Sequence, residues 1–201
     1  MIFTKLLDTA IDHFGRLGFE GASTRAIAKA SGTAMSSITY HFGGKEGLYL
    51  AAADHIAAAV SSMHAPAMEA ARLAGKSRDQ SVTALLVLID NFAQMMLRPE
   101  SEAWARFIVR EQQHPTEAFD RLYEGAMKGV VGTLCTLIAR VRTDLEPPEV
   151  RATAVTLFGQ ALVLRVGRAS VCRILGVETI GDDMQELLRS RIRANALCIL
   201  S

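Results

Sequence analysis

A chain of 201 residues, half of them apolar and about a fifth charged, is long enough for one or two compact units and too apolar for a disordered chain. The net charge of +1 excludes binding of nucleic acid by whole-chain basicity, and any such role must rest on local charge. Arg16, Arg25, Lys29 and Lys45 face a single acid, Glu20, between residues 16 and 45, whereas acids and bases balance beyond residue 50.

In chain order, residues 4–17 carry Leu6, Leu7, Ala10, Ile11, Phe14 and Leu17 at i, i+3/i+4 spacing, which predicts a helix ended by Gly18. A short helix starts at Ser23 or Thr24, either of which can cap it, and ends near Gly32. A third spans about 35–41 and is broken by Gly43-Gly44, and a fourth runs from about Lys45 to His64. Gly75 and Ser77 suggest a loop, followed by an amphipathic helix over 78–97. Pro99, Pro115 and Pro147-Pro148 each open a further helix, the second reaching about Arg142 and the third about Arg165 or beyond. Gly176 and Gly181 bracket the entry to a last helix, from Asp182 to about Leu200. No segment alternates with period two between turn signals, so the expected fold is all-α, with about nine helices.

Cys135, Cys172 and Cys198 lie far apart in apolar stretches, so reduced thiols are expected rather than a disulfide framework. The five histidines show no metal-ligand spacing, and neither a metal nor a cofactor is expected. Asp8 and Asp12 interrupt any leader-like run, and no apolar stretch reaches the ~18 uninterrupted residues of a membrane span. A cytoplasmic protein with no membrane partner is the expectation.

Residues 24–42 carry the chemistry. Two short helices joined at Gly32 have helix-turn-helix form: Ile27 and Ala28 give the first an apolar face, while Ile38 and Phe42 anchor the second. Met35, Ser36, Ser37, Thr39, Tyr40 and His41 remain for an outer face. Short polar groups with two longer hydrogen-bonding side chains suit a major groove and its phosphate walls.

The run Thr24…Ile27-Ala28…Ser31-Gly32-Thr33-Ala34…Ser36…Ile38-Thr39-Tyr40-His41-Phe42…Lys45-Glu46-Gly47-Leu48, preceded by Phe14-Gly15-Arg16-Leu17-Gly18-Phe19, resembles the TetR family of regulators over about residues 5–50. The chain departs from that pattern at Ala34, where a cap serine is usual, at Thr39, with the tyrosine one place later, and at His41. The resemblance implies a DNA-binding domain over residues 1–48 and a helical ligand-binding and dimerisation domain over 49–201. It also implies that Thr24, Tyr40 and Lys45 hold phosphates of double-stranded DNA. Ser36, Ser37, Thr39 and Met35 are then candidates for base edges, with Arg25 and His41 beside them.

A second resemblance, at Phe107-Ile-Val-Arg-Glu-Gln-Gln-His-Pro-Thr-Glu-Ala-Phe119, is to the CecR-like C-terminal domain. It implies a small-molecule effector without naming it. Trp104, Phe107, Arg110, Glu111, Gln160 and Arg165 are candidates for a mixed pocket, or for a satisfied ion-pair network. TetR-like proteins pair their last two helices into a four-helix bundle, which makes Ala154, Phe158, Ala161, Leu162, Met184, Leu188 and Ile192 candidates for a homodimer interface.

Together these readings predict a ligand-responsive repressor that binds a palindromic operator as a homodimer. Two alternatives stand beside it: an all-α enzyme, with Glu111 and His114 three residues apart, and a protein-interaction module using the N-terminal helices.

Overall fold

A computed structural model describes residues 2–73 and 77–201, and the loop expected at Gly75 lies outside the described residues. The helices are α1 (Ile2–Gly21), α2 (Thr24–Ser31), α3 (Met35–Phe42), α4 (Lys45–Leu73), α5 (Arg78–Leu97), α6 (Ser101–Gln113), α7 (Glu117–Leu122), α8 (Lys128–Val141), α9 (Pro147–Val166), α10 (Arg168–Leu175) and α11 (Asp182–Leu200), with a π-helical turn at Tyr123–Met127. No strand occurs among the described residues. The chain forms two compact units, one of residues 1–61 and 102–128 and the other of residues 62–101 and 129–201. The division expected at residue 48 therefore falls inside α4, and the unit around the N-terminal helices also takes in residues 102–128.

The first unit is built on the apolar stripes legible in the sequence. Leu6, Ala10, Ile11 and Phe14 of α1, Ile27 and Ala28 of α2, Ile38 of α3 and Leu48, Ala52, Ala53 and Ile56 of α4 share one core, closed by Phe107, Ala118 and Leu122 from α6 and α7. Tyr49 sits at its centre, edge-on to Phe14 (4.8 Å between ring centroids) and stacked on Phe107 (4.6 Å). Gly15 lets α6 close on α1: a Cβ there would lie 3.1 Å from Cβ of Arg106. Gly18, expected to end α1, breaks it with φ 75° and ψ 173°, after which the chain is helical again to Gly21. Arg110 stabilises that break by donating Nε to the Gly15 carbonyl and Nη2 to the Arg16 carbonyl, each at 2.8 Å, so it pairs groups that a helix end leaves open.

The second unit is organised around α5, which packs against α9 and α11 and buries Leu85, Leu88, Ile89, Phe92, Ala93 and Met96. Phe92 stacks on Phe158 at 4.2 Å. By length and composition α5 is apolar enough to cross a bilayer, but most of it is buried in this core. Three arginines satisfy helix-end carbonyls: Arg165 donates to Met96 and Arg98 at the end of α5, while Arg78 and Arg142 donate to Leu200 and Ile199 at the end of α11.

Three helix boundaries differ from expectation. Helix α4 does not stop at His64 but continues through Pro66 to Leu73, because His64, Ala67 and Ala71 keep burying one face. The helix expected from Pro115 is capped by Thr116 and interrupted by the π-helical turn. Beyond Gly167 the chain turns by 85° into the separate helix α10.

Candidate nucleic-acid interface

Gly32, at φ 74°, gives the left-handed turn that ends α2, and its N–H bonds the carbonyls of Ala28 and Lys29. A side chain with a Cβ would be strained there, and α3 could not leave α2 at this angle. Ser23 takes the N-cap place of α2 with extended backbone, yet its side chain makes no capping bond, and neither does that of Ala34 before α3. The first turn of α3 thus has no side chain closing its N–H groups, which leaves donors and a partial positive charge at its start.

Helix α3 is fixed by Ile38, which is fully buried. Around it Met35, Ser36, Thr39, Tyr40 and His41 are exposed and Ser37 is half-buried. Tyr40 is 84% exposed, so its hydroxyl extends from the surface. His41 is not a free tip, because the ring of Phe3 meets it edge-on at 4.6 Å. Sequence reasoning missed that contact, since nothing local links positions 38 residues apart. On α2, Thr24 is half-buried and Arg25 exposed, and Lys29, one turn beyond Arg25 and not among the expected contacts, is exposed with it. Their i, i+4 spacing was the signal that places both on one face. Lys45 turns the other way: its ammonium donates to the Glu20 carbonyl at 3.2 Å and lies 4.7 Å over the Phe19 ring. It thereby ties the start of α4 to the end of α1, and the expected phosphate contact at Lys45 competes with that tie.

The six residues expected to form a mixed pocket divide between the two units. Gln160 accepts from Asn195, joining α9 to α11, and Arg165 is buried against the end of α5. Both belong to the second unit, where their partners explain them. Trp104, Phe107, Arg110 and Glu111 belong to the first. There Arg110 and Glu111 help to line a cavity of about 600 Å³ beside Tyr49 and Leu50. Glu111 is buried and accepts from the Tyr49 hydroxyl at 2.6 Å and from Thr116 through its backbone N–H (3.1 Å) and hydroxyl (2.9 Å). Burial first, then the bond to Glu111 and its charge, push the Tyr49 phenol far above its usual range, with the charge of Arg110 opposing. Glu111 is thus held by Tyr49 and Thr116, while His114, its partner in the enzyme alternative, is exposed. Among the described residues no cluster of side chains could hold a metal ion.

The expected dimer residues also divide. Ala154, Ala161 and Ile192 are buried in the core of the second unit, and Phe158 is stacked on Phe92, so these four are committed within the chain. Leu162, Met184 and Leu188 are half-buried. The outward faces of the two helices carry Val155, Val163 and Val166 on α9 and Leu187 and Leu197 on α11, all exposed.

The description "Bacterial regulatory proteins, tetR family" belongs to a family model that matches residues 6–52, which take in α2, α3 and the start of α4. The model for the C-terminal domain of the HTH-type transcriptional dual regulator CecR matches residues 82–201. The regulator CecR of Shigella flexneri is 30% identical over 202 residues, 98% of this chain and 90% of that relative. The chain belongs to the TetR family of transcriptional regulators. The HTH-type transcriptional regulatory protein RaaS of Mycobacterium tuberculosis is 32% identical over 121 residues, covering 60% of this chain and 49% of its own. Among solved TetR-like folds, a Clostridium perfringens protein regarded as a fatty acid metabolism regulator superposes with a TM-score of 0.70 at 13% identity, over 96% of this chain and 97% of that one. The fatty acid degradation regulator FadR of Bacillus halodurans superposes at 0.64 and 17% identity, over 97% of each. At such identities these likenesses concern the fold. The relatives of this TetR-family chain are transcriptional regulators rather than enzymes, and its N-terminal helices are the family's DNA-binding helix-turn-helix.

Proposed function

We propose that this TetR-family protein is a ligand-responsive repressor that reads a palindromic operator as a homodimer. The observation that carries the reading is α3, a helix anchored by one buried isoleucine with Met35, Ser36, Thr39, Tyr40 and His41 exposed on it. Ser36, Ser37, Thr39 and Met35 are the residues for base edges. Thr24, Arg25, Tyr40 and the open first turn of α3 hold phosphates, with Lys29 added. Helix α3 is only eight residues long, and a single short reading head has little affinity alone. Two heads related by a two-fold axis multiply it and require a palindrome. The exposed valines of α9 and leucines of α11 are the surface that supports pairing. An effector that binds one arrangement of the paired heads better than another shifts the equilibrium off the operator.

The test is fluorescence anisotropy on duplexes from the DNA flanking the chain's own coding region. Tight binding to one fragment, steeply weakened by salt, is the expected result. Tyr40→Ala is expected to weaken it about tenfold or more, the loss of a hydrogen bond to a charged acceptor, with the thermal midpoint unchanged. Equal affinity for flanking and random duplex at ~0.1 M salt sinks the proposal.

A further inference from the structure

The cavity of the first unit has a chemistry that the regulator reading does not use. Its apolar walls are Leu17 and Phe19 at the end of α1 and Tyr49 and Leu50 of α4. At about 600 Å³ it falls within the ~300–1,000 Å³ range of small-molecule sites. Its lining is acidic on balance: Glu20, Glu46, Glu111 and Glu117, the last paired with Arg121, stand against Arg110, with His114 beside them. Glu111 is only 2% exposed, and the three donors its carboxylate receives, from Tyr49 and Thr116, are all neutral. Glu20 and Glu46 line the same cavity, and neither has an ion-pair partner among the described residues. The cations nearby form no ion pair with these acids: Arg110, itself in the lining, donates to the carbonyls of Gly15 and Arg16, and Lys45 donates to the Glu20 carbonyl over the Phe19 ring, contacts that orient both groups without cancelling their charge. A buried carboxylate with neutral partners is costly unless a positive charge joins it, and low-dielectric walls focus its field into the cavity.

We propose that this cavity binds an organic cation with an apolar body, its charge set against Glu111 with Glu46 at the rim and its body against Leu17, Phe19 and Leu50. The apolar walls come from α1 and α4, the two helices that flank the reading pair α2 and α3, and the polar side from the end of α6 to the start of α7, so the occupant sits within the unit that holds the helix-turn-helix. The site goes beyond the repressor reading, and its test is independent of DNA.

Isothermal titration of the full chain, free of DNA, with tetraphenylphosphonium and with the similarly shaped anion tetraphenylborate reads the charge preference. One cation per chain is expected, bound at least tenfold more tightly than the anion. Glu111→Gln, which keeps an acceptor for Tyr49, is expected to weaken the cation at least tenfold and leave the anion no weaker. Should Glu111→Gln fail to fold, the exposed Glu46→Gln is expected to weaken the cation about threefold. Equal binding of the two ions, or cation affinity unchanged in every variant that folds, overturns the site. Promoter binding measured in parallel separates the two readings: a chain that binds the cation but no promoter fragment supports the site and sinks only the repressor. A chain that binds the fragment but no cation overturns the site alone.

Discussion

Gly47 shows how tightly the reading head is assembled at the level of single atoms. A Cβ on it would lie 1.7 Å from the Phe42 carbonyl oxygen and 2.9 Å from the carbonyl carbon. Backbone cannot swing aside as a side-chain tip can, so any larger residue must open the junction between α3 and α4. Gly47→Ala is therefore expected to lower stability by about 1–3 kcal/mol, the usual cost of overpacking. The urea midpoint reads it, and a midpoint equal to the parent's would show that the junction yields freely. Tyr49 and Glu111 show the same dependence on distant partners. Their hydrogen bond spans 62 residues of sequence and joins α4 to the end of α6.

At the scale of helices, the second unit depends on how α5 holds its neighbours. Arg189 of α11 donates Nε and Nη2 to the two oxygens of Asp90, both at 2.7 Å, and Gln94 donates to the same carboxylate. Burial works against the charge on Asp90. The bonds from Arg189 and Gln94, with the charges of Arg189 and Arg193, outweigh it and hold the carboxyl below its ordinary value. A carboxyl lowered in the folded state stabilises the fold above its unfolded value near ~4 and loses that contribution as pH falls through the folded value. Asp90→Asn is expected to cost about 0.5–1 kcal/mol at neutral pH, the range of a partly exposed ion pair. Denaturant melts from pH 7 down to 2 check it: the gap between parent and variant should close in acid, and a gap constant with pH would assign it to packing. The persistence of α4 past Pro66 belongs to the same scale. One lost N–H bond weighs less than the burial of His64, Ala67 and Ala71 along one stripe.

For the molecule as a whole, the proposed function rests on pairing, which would give a short reading helix the affinity an operator needs. The surface proposed for it is the outward side of α9 and α11. Val155 is 68% exposed there, with Val163, Val166, Leu187 and Leu197 beside it. Val163→Asp is expected to give a monomer by light scattering on a sizing column, with helix content unchanged. Affinity for an operator should then drop at least tenfold, because the second head no longer binds at high effective concentration. A dimer that survives this change would move the interface to another face.

The sequence by itself determined the helices of the head, the turn at Gly32 and the pattern from Thr24 to Leu48, because these rest on local rules: 3.6-residue periodicity, glycine's left-handed backbone and the short reach of a helix-turn-helix. It also offers Arg110 and Glu111 as candidates for a mixed pocket or a satisfied ion-pair network. Only the tertiary structure decided what those groups touch. Periodicity tells that a stripe is apolar but not which partner covers it, so the apolar spacing places Ala154, Ala161 and Ile192 at a dimer face, whereas they are buried within the second unit. In the same way the sequence puts Gln160 and Arg165 beside Arg110 and Glu111 as candidates, whereas the hydrogen-bond partners of the first two lie in the second unit. A polar side chain in an apolar stretch must find a partner, and which one it finds is fixed by contacts across tens of residues that no local pattern encodes.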